Sequence, residues 1–397
     1  MTGNTTVVVI GGGYAGVLAA NRLTQRDDVA VTLINPRATF VERIRLHQLV
    51  GGTDDAVVDY REVLGAGIRL IVDTVVRIDA AERSLTLAAG GTVEYDYLIY
   101  AVGSGSADPQ VPGVAEFAYP VASLEEAQRL RAVLATTPAT AAITVVGGGP
   151  TGIETAAELA ESGRTVTLVC GGVLGPYLRS GGRRAVAKRL AQLGVTVLDG
   201  PEAKVTAVTR DTVRLSGGHT LRSAVTVWTA GFGVPDLANR SGLSTDALGR
   251  LRTDETLTSL DDARIVAAGD AAAPSDLPFR MSCQAAGPLG AYAADTVLSR
   301  IAGAEPAPIA MVFVGQGISL GRRAGVIQLG HRNDTATRFH LGGRAAAVLK
   351  ELVCWSTVKQ LGMEARKPGS FRVPAWATDK KRREVLQAKR DDAVTTR

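Results

Sequence analysis

The sequence has 397 residues, which is enough for two or three domains of about 100–200 residues each. Hydrophobic residues make up 46% and charged residues 21%, with a mean hydropathy of +0.12, which excludes disorder over most of the chain. The net charge of +5 arises in residues 364–397, which hold ten basic and five acidic side chains. A protein body basic enough to bind nucleic acid is therefore excluded.

Cysteine and histidine are too scattered to suggest a metal site or a redox dithiol. The three cysteines include no CxxC pair, which indicates a reducing cytoplasm rather than a disulfide framework. His219, His331 and His340 are isolated, so no metal is expected. The apolar N-terminal stretch has no basic start and no apolar run is long enough to cross a bilayer, so we expect neither a signal peptide nor a spanning helix.

The first predicted elements are a buried strand, a glycine turn and a helix in VVVIGGGYAGVLAANRL. The continuous β-branched run is typical of a strand covered on both faces of a parallel sheet. Gly11 permits the tight turn, Gly13 lets the backbone approach a pyrophosphate, and Gly16 lets helix and strand pack closely. Tyr14 and Ala15 begin the helix that faces the phosphates.

The next predicted strand, VAVTLIN, ends at Asn35. Dinucleotide folds carry the side chain that binds the ribose hydroxyls at this point, and an amide can form such hydrogen bonds. The alternative is that Asn35 and Pro36 only end the strand, because this dipeptide is itself a turn signal.

The same pattern returns in ITVVGGGPTGIETAAEL, where Gly147, Gly149 and Gly152 repeat the glycine spacing and Pro150 begins the helix. The strand after it, TVTLVC, ends at Cys170. The repeat predicts two dinucleotide sites. The alternative is one nucleotide site and a decayed copy.

Three further strings follow in order. They are YDYLIYAVGS with Ala101 and Gly103, TVWTAGFGVP with Gly231, and RIVAAGDAAA with Gly269 and Asp270. Together with the glycine turns, these strings resemble the two-dinucleotide-binding flavoprotein oxidoreductases. The resemblance implies an α/β fold of two nested Rossmann-like domains that bind FAD and NAD(P)H, with Asp270 at the flavin ribityl chain.

The implied domains divide the chain as follows. Residues 1–117 and 244–305 form the FAD-binding domain, and the inserted residues 118–243 form the NAD(P)H-binding domain. Residues 306–397 form a C-terminal region with an amphipathic helix and a basic tail.

Within this superfamily, the sequence is similar to the type II NADH dehydrogenases, which are NAD(P)H:quinone oxidoreductases. Disulfide reductases carry a close cysteine pair beside the flavin, and this sequence has none. The resemblance places Glu154 near the nicotinamide and the quinone, and it matches Gln284 to the first of two glutamines at the quinone site. The second glutamine is replaced by Pro288, so we expect a different quinone pocket.

Arg43, Arg45 and His47 replace the proline and aromatic residues that these enzymes carry in the corresponding stretch. We expect them to line a loop over the flavin ring and to stabilise negative charge there. The alternative is a solvated basic helix face.

The preference for NADH or NADPH depends on the residue that ends the second strand of the second dinucleotide fold. NAD-preferring enzymes place an acid where this sequence has Cys170, so we expect weak discrimination against NADPH. Arg179, Arg183 and Arg184 are candidates for a 2′-phosphate contact or, alternatively, for a solvated helix face.

Residues 344–361 predict an amphipathic helix, RAAAVLKELVCWSTVKQL. It docks on the protein, forms a homodimer, or lies on a membrane surface to which the cations that follow would hold it. The expected location is cytoplasmic, with peripheral contact to the inner face of the cell membrane left open.

The sequence therefore predicts an FAD-dependent NAD(P)H dehydrogenase that passes electrons to a quinone-type or other small acceptor. Glu154 and Gln284 are the expected proton or carbonyl contacts of the acceptor. Two alternatives stay open. One is a soluble reductase serving a ferredoxin-like partner or a secondary-metabolite quinone, and the other is a nucleotide-responsive flavoprotein resembling the apoptosis-inducing-factor relatives.

Overall fold

The structure, a computed structural model, describes residues 4–373, 382 and 384–388. The main strands are β1 (Thr5–Ile10), β2 (Val29–Asn35), β3 (Arg69–Val72), β4 (Tyr97–Tyr100), β5 (Ala118–Pro120), β6 (Ala142–Val146), β7 (Thr165–Val169), β8 (Thr196–Leu198), β9 (Val225–Trp228), β10 (Ile265–Ala267), β11 (Gly315–Ser319), β12 (Gly325–Gly330) and β13 (Ala336–Gly342). The main helices are α1 (Tyr14–Leu23), α2 (Leu46–Gly51), α3 (Leu124–Thr136), α4 (Pro150–Glu161), α5 (Ser180–Gln192), α6 (Cys283–Ile301) and α7 (Gly343–Arg366).

Two five-stranded parallel sheets form the framework. The first has the order β10-β4-β1-β2-β3, and the second has the order β5-β9-β6-β7-β8. Because β10 lies next to β4, the chain leaves the first sheet, completes the second and then returns. The predicted α/β fold with two nested Rossmann-like units is confirmed.

Smaller antiparallel sheets flank this framework. Two of them have three strands each and cover Val75–Asp79, Ser84–Leu87 and Thr92–Glu94, and Val205–Val208, Thr212–Leu215 and Thr220–Arg222. Short strand pairs join Thr39–Val41 to Val57–Asp59, Gly105–Ser106 to Phe232–Gly233, and Leu251–Thr253 to Ala272–Pro274. Single helical turns cover Arg43–Arg45, Tyr60–Val63, Val114–Phe117, Pro201–Ala203, Leu237–Arg240 and Gly269–Ala271.

The central strand of each parallel sheet is buried on both faces. Val7, Val8 and Val9 of β1 have no exposed surface, and Val145 of β6 has none either. Both faces are therefore covered, and residues of the flanking antiparallel sheets, such as Ile78 and Val213, share these cores with the parallel strands. This packing explains the continuous β-branched runs in the sequence.

Helices α1 and α6 approach each other closely in the first unit. A Cβ added to Gly290 of α6 would lie 2.2 Å from the carbonyl oxygen of Ala15 in α1. This contact places the N-terminal part of α1 next to α6, the helix that follows β10. It leaves no room for a side chain at Gly290.

The C-terminal region contains the antiparallel sheet β11-β12-β13 and then α7. The buried residues of α7 include Ala346, Cys354 and Leu361, whereas Val348 and Trp355 are exposed. Within the described ranges, no helix combines the length and the apolar character needed to cross a membrane.

The contact between α1 and α6 gives a test of the fold. We expect Gly290→Ala to lower the free energy of unfolding by about 1–3 kcal/mol, because the added methyl group meets a backbone carbonyl. Gly287→Ala is the control on the same helix, since a Cβ there lies 3.8 Å from the ring of Phe371. Urea unfolding of both variants measures the difference, and equal stabilities would contradict the packing described here.

Candidate functional site

The glycine turns after β1 and β6 have the same construction. Gly11 and Gly147 have positive φ angles of 102° and 131°. A Cβ on Gly16 would lie 1.8 Å from the Gly11 carbonyl oxygen, and one on Gly152 would lie 1.9 Å from that of Gly147. Only glycine lets each helix cross its strand at this distance.

The middle glycine of each turn faces open space. No atom of the described residues lies within 4 Å of a Cβ built on Gly13 or Gly149. These glycines are the N-caps of α1 and α4, and no side chain in the described part of the chain caps either helix. Pro150, at the first position of α4, lacks an N–H that would need a partner. The remaining N–H groups and the positive end of each helix dipole fit the pyrophosphate of a dinucleotide.

Asn35, at the end of β2, is bonded to the first turn. Its Oδ1 accepts a hydrogen bond from Gly12 N–H at 2.9 Å, and its Nδ2 donates to the Arg37 carbonyl at 2.9 Å. The Tyr60 hydroxyl donates to the Gly12 carbonyl at 2.8 Å. Asn35 therefore holds the turn in place. Its ribose contact stays a prediction, for which one amide N–H and one acceptor position remain.

Cys170, just after β7, packs against the second turn. A Cβ on Gly148 would lie 2.9 Å from the Cys170 Cβ. Burial and the nearby Asp199 raise the pKa of the Cys170 thiol to about 12, so the thiol is neutral. Asp199 is exposed just after β8, and the Cys170 N–H donates to the carbonyl of Leu198 at 2.8 Å. An acid is therefore absent from the end of β7 but present just after the neighbouring strand β8, and its contact with a ribose is a prediction.

Two of the three arginines considered for a 2′-phosphate are bonded to backbone carbonyls. Arg179 donates to the first carbonyl of β13 at 2.9 Å. Arg183 donates to two carbonyls of the loop after β7 at 2.8 and 3.1 Å. Arg184 is exposed. These backbone bonds give Arg179 and Arg183 a structural role in their loops.

Asp270 is the centre of a polar group at the carboxyl edge of the first sheet. Its Oδ1 accepts from Ser282 N–H at 3.1 Å, and its Oδ2 accepts from the Ser104 hydroxyl at 2.7 Å. Arg43 donates to the Ser104 hydroxyl at 2.9 Å and lies 3.6 Å from Asp270 Oδ2. The Arg43 guanidinium also lies 5.8 Å from the centroid of the Phe232 ring. Carboxylate, hydroxyl and guanidinium together suit the hydroxyls and phosphates of FAD.

The other predicted cofactor positions lie in turns near these groups. Gly103, Gly231 and Gly269 have positive φ angles of 70°, 83° and 68°. The Ala101 N–H donates to the carbonyl of Ile10 at 2.9 Å, which continues the pairing of β4 with β1. Their contacts with nucleotide stay predictions.

Tyr14 points into the protein. Its ring packs edge-on against Phe40 with centroids 5.1 Å apart, and its hydroxyl has no hydrogen-bond partner among the described residues. The side chain is therefore a packing element, and only the backbone of this position is available to a phosphate.

A buried ionic group surrounds Glu154 near the N-terminus of α4. Glu154 Oε1 lies 3.3 Å from Lys350 Nζ and accepts from Ser319 N–H at 3.0 Å. Its Oε2 lies 3.8 Å from Nδ1 of His47. Lys350 Nζ also donates to the Gly317 carbonyl at 3.2 Å. Helices α2, α4 and α7 and strand β11 therefore meet at one carboxylate.

The protonation states in this group follow from burial and from the ion pair. Burial acts to raise the pKa of Glu154, but Lys350, His47 and the Ser319 N–H outweigh it, and the pKa lies below its ordinary value. Burial acts to lower the pKa of Lys350, but Glu154 outweighs it and the pKa is raised. Burial lowers the pKa of His47 to about 4. At neutral pH the group is thus an ion pair beside a neutral imidazole.

Arg45 is a buried cation at the start of α2. It is 7% exposed, so the alternative of a solvated face is wrong. Its guanidinium contacts Glu42 at 3.2 Å, Gln48 at 2.9 Å and Glu351 of α7. Because these partners neutralise its charge, Arg45 joins α2 to α7, and its contact with the flavin ring stays a prediction. The solvated face is also wrong for His47, which is 3% exposed.

Gln284 is bonded to the backbone before β11. Its amide donates to the Gly315 carbonyl at 3.1 Å and accepts from Val314 N–H at 3.2 Å. Pro288 lies one turn further along α6, inside the helix. Gln284 therefore fixes the entry to β11, and its contact with an electron acceptor stays a prediction.

Lys350 was not predicted as a site residue, because its position within the predicted amphipathic helix 344–361 did not show which side chains are buried. The available signal was the spacing of Ala346, Lys350, Cys354 and Leu361, which places the lysine on the same stripe as small and apolar residues. A lysine on a buried stripe needs a carboxylate partner.

A fold with two dinucleotide units, each with an open glycine turn, defines the class of flavoprotein oxidoreductases that bind two dinucleotides. The chain belongs to the pyridine nucleotide-disulphide oxidoreductase family, whose sequence profile matches residues 5–294. The protein is thus an NAD(P)H-dependent flavin oxidoreductase related to the type II NADH:quinone oxidoreductases, as the sequence resemblance implied.

Three known proteins illustrate the relationship. An NADH dehydrogenase-like protein of Mycobacterium tuberculosis is 33% identical over 323 residues, which cover 74% of this chain and 80% of that protein. The type II NADH:quinone oxidoreductase of the same species is 31% identical over 373 residues, covering 82% and 79%. The structure of NDH2 from Plasmodium falciparum in complex with NADH has a TM-score of 0.76 and 17% identity over 94% of this chain and 99% of that chain, which shows a shared fold.

His47 gives a prediction for stability against pH. Its folded-state pKa of about 4 lies below the unfolded value of about 6.5, so the unfolded chain binds a proton first as the pH falls. The free energy of unfolding is therefore highest above pH 6.5 and falls as the pH approaches 4. At pH 5 it is lower by about 2 kcal/mol. We expect His47→Gln to lose correspondingly less between pH 7 and pH 5 in urea unfolding. His219→Gln is the control, because His219 is exposed. If His47→Gln lost as much unfolding free energy as the wild type, His47 would not be the source of the pH dependence.

Asp199 gives a prediction for nucleotide preference. Its charge near the expected 2′ position repels a 2′-phosphate, so we expect Asp199→Asn to raise the ratio of kcat/KM for NADPH to that for NADH by roughly three- to thirtyfold. Steady-state kinetics with both nucleotides measures the ratio. Asp211→Asn, an exposed acid on the antiparallel sheet of the same domain, is the control. An unchanged ratio in Asp199→Asn would show that the carboxylate does not face the ribose.

Proposed function

We propose that this protein passes electrons from NAD(P)H through FAD to a quinone-type acceptor. The residues that would hold FAD are the turn at 11–16 and the group formed by Arg43, Ser104 and Asp270. The turn at 147–152 would hold NAD(P)H. Bound FAD supplies the two-electron chemistry that links the nicotinamide to the acceptor.

The observation that carries this proposal is the buried Glu154 carboxylate with its two partners. Reduction of a quinone to a quinol takes up two protons along with two electrons, so the acceptor side needs a proton-carrying group. Glu154 is the fifth residue of α4, the helix that follows the second glycine turn, and it is 7% exposed. Lys350 holds it ionised, so Glu154 would take up a proton from water at Oε2 and pass that proton to the reduced acceptor.

His47 and Lys350 set the behaviour of that carboxylate. His47 is neutral and faces Oε2, and its Nε2 is buried without a hydrogen-bond partner in the described part of the chain. Nε2 of His47 is therefore free to bind a proton or to donate a hydrogen bond to a carbonyl oxygen of the acceptor. Lys350 stabilises the ionised state of Glu154, and the surrounding burial excludes water from the hydride path.

We also propose that α7 contacts a membrane surface, where quinones dissolve. Val348, Leu352 and Trp355 are 70%, 54% and 53% exposed, and apolar side chains on one helix favour the boundary of a bilayer. A homodimer through the same side chains is the alternative. Sedimentation with vesicles and the mass of the protein in solution distinguish the two.

An anaerobic titration of the flavin-loaded protein tests the function. We expect NADH or NADPH to bleach the flavin absorbance and a quinone to restore it. A panel of acceptors that includes soluble quinones and an iron–sulfur protein then identifies the acceptor class. The proposal fails if neither nicotinamide bleaches the flavin, and the quinone assignment fails if only the iron–sulfur protein restores it.

The role of Glu154 predicts a split between the two half-reactions. We expect Glu154→Gln to slow reoxidation by quinone by about 10²–10⁴-fold and to slow reduction by NADH less, because the proton is needed on the acceptor side. Stopped-flow absorbance resolves the two steps. Glu158→Gln, one turn further along α4, is the matched control. Equal slowing of both steps in Glu154→Gln would assign the residue to orientation of the nicotinamide instead.

A further inference from the structure

The segment after α7 returns to the first dinucleotide unit. Glu364, which is fully buried, accepts hydrogen bonds from Gly369 N–H at 2.8 Å, the Ser370 hydroxyl at 3.0 Å and Phe371 N–H at 2.6 Å. Arg22 of α1 donates to the Phe371 carbonyl at 2.9 Å. These contacts turn the chain back over α1 and α6 immediately after α7.

Arg382 lies further along the chain, and its side chain binds several groups of the protein. Its side chain is 9% exposed, and it forms a two-bond ion pair with Glu255 at 2.8 and 2.9 Å. It also donates to the carbonyls of Leu277 at 2.8 Å and Pro274 at 3.1 Å. Its guanidinium lies 4.5 Å from the centroid of the Phe279 ring. Arg382 is therefore bonded within the protein and is not one of the cations available to a lipid surface.

Apart from Glu255, the partners of Arg382 belong to loop 274–282, which connects the Asp270 turn to α6. The hydrogen bond from Ser282 N–H to Asp270 Oδ1 closes this loop at its base. Ser275 and Asp276 have positive φ angles of 51° and 54°, which residues with a side chain adopt only when the surroundings impose them. Arg382 donates hydrogen bonds to the carbonyls on either side of these two residues. It therefore stabilises the part of the loop whose backbone conformation is strained.

The other end of loop 274–282 is held from a different direction. Arg280 forms a two-bond ion pair with Asp334 at 2.6 and 2.9 Å. Its guanidinium also lies 4.9 Å from the Phe313 ring centroid and 5.3 Å from that of Tyr177. The loop is thus fixed by Arg280 near α6 and by Arg382 near the strand that follows Asp270.

We propose that Arg382 is a positioning residue for the flavin site, and that its contacts keep loop 274–282 in the arrangement that retains FAD. The inference rests on the proposed FAD site at Asp270. Arg382 acts through Asp270 and Ser282, whose hydrogen bond depends on the path of the loop between them. A basic C-terminal residue then serves cofactor retention within the chain rather than attachment to lipid.

The test compares flavin release from the holoenzyme and its variants. Arg382→Met removes the charge and the donors but keeps the side-chain stem. The double variant Arg382→Met, Glu255→Gln avoids leaving Glu255 as an unpaired buried carboxylate. Arg252→Met is the control, because Arg252 binds Asp276 of the same loop through an exposed ion pair at 2.9 and 3.0 Å.

We expect the rate of FAD release after dilution, followed by flavin fluorescence, to rise about tenfold or more in Arg382→Met and in the double variant. Arg252→Met should stay within about twofold of the wild type, since exposed pairs contribute little. Arg382→Lys should restore part of the retention. The rise in melting temperature that added FAD produces should shrink in Arg382→Met, which a general loss of stability would not cause.

Wild-type release rates in both Arg382 variants would overturn the proposal. So would loss of binding to anionic vesicles in Arg382→Met with unchanged flavin release, because the residue would then serve a lipid surface. These failures are distinct from failure of the proposed function, in which the wild type retains FAD but neither nicotinamide reduces it.

Discussion

The buried ion pair between Glu154 and Lys350 is the constraint that organises the region between the nucleotide folds and the C-terminal helix. Two charges removed from water are tolerated only when each has the other and further hydrogen bonds complete their shells. Ser319 N–H and the Gly317 carbonyl complete them here. Strand β11, helix α4 and helix α7 are therefore fixed relative to one another by electrostatics as well as by apolar packing.

The same constraint explains why α7 is oriented as it is. A helix on a protein surface usually buries its apolar side chains and exposes its charges. In α7, Lys350 is turned inward, and Val348 and Trp355 are turned outward. The pairing of the lysine with Glu154 outweighs the burial that the apolar side chains would gain, because an unpaired buried carboxylate is more costly than exposed hydrocarbon.

The sequence predicted those parts of the fold that depend on local pattern. The two glycine turns, the strands before them and the return of the chain to the first sheet follow from short strings whose geometry is set by neighbouring residues. The roles of Arg45, Lys350 and Arg382 were not predictable in this way. Each depends on a partner far away in the chain, and a basic residue on a helix has the same local pattern whether its partner is water or a buried acid.

The separation of Glu154 from Lys350 along the chain has a consequence for synthesis. Domains generally fold from the N-terminus as the ribosome releases them. About 200 residues must leave the ribosome after Glu154 before its lysine emerges. During that interval the second nucleotide fold has its glycine turn and its sheet but lacks the lysine that neutralises Glu154, so the nascent chain holds this carboxylate protonated or solvated until Lys350 emerges.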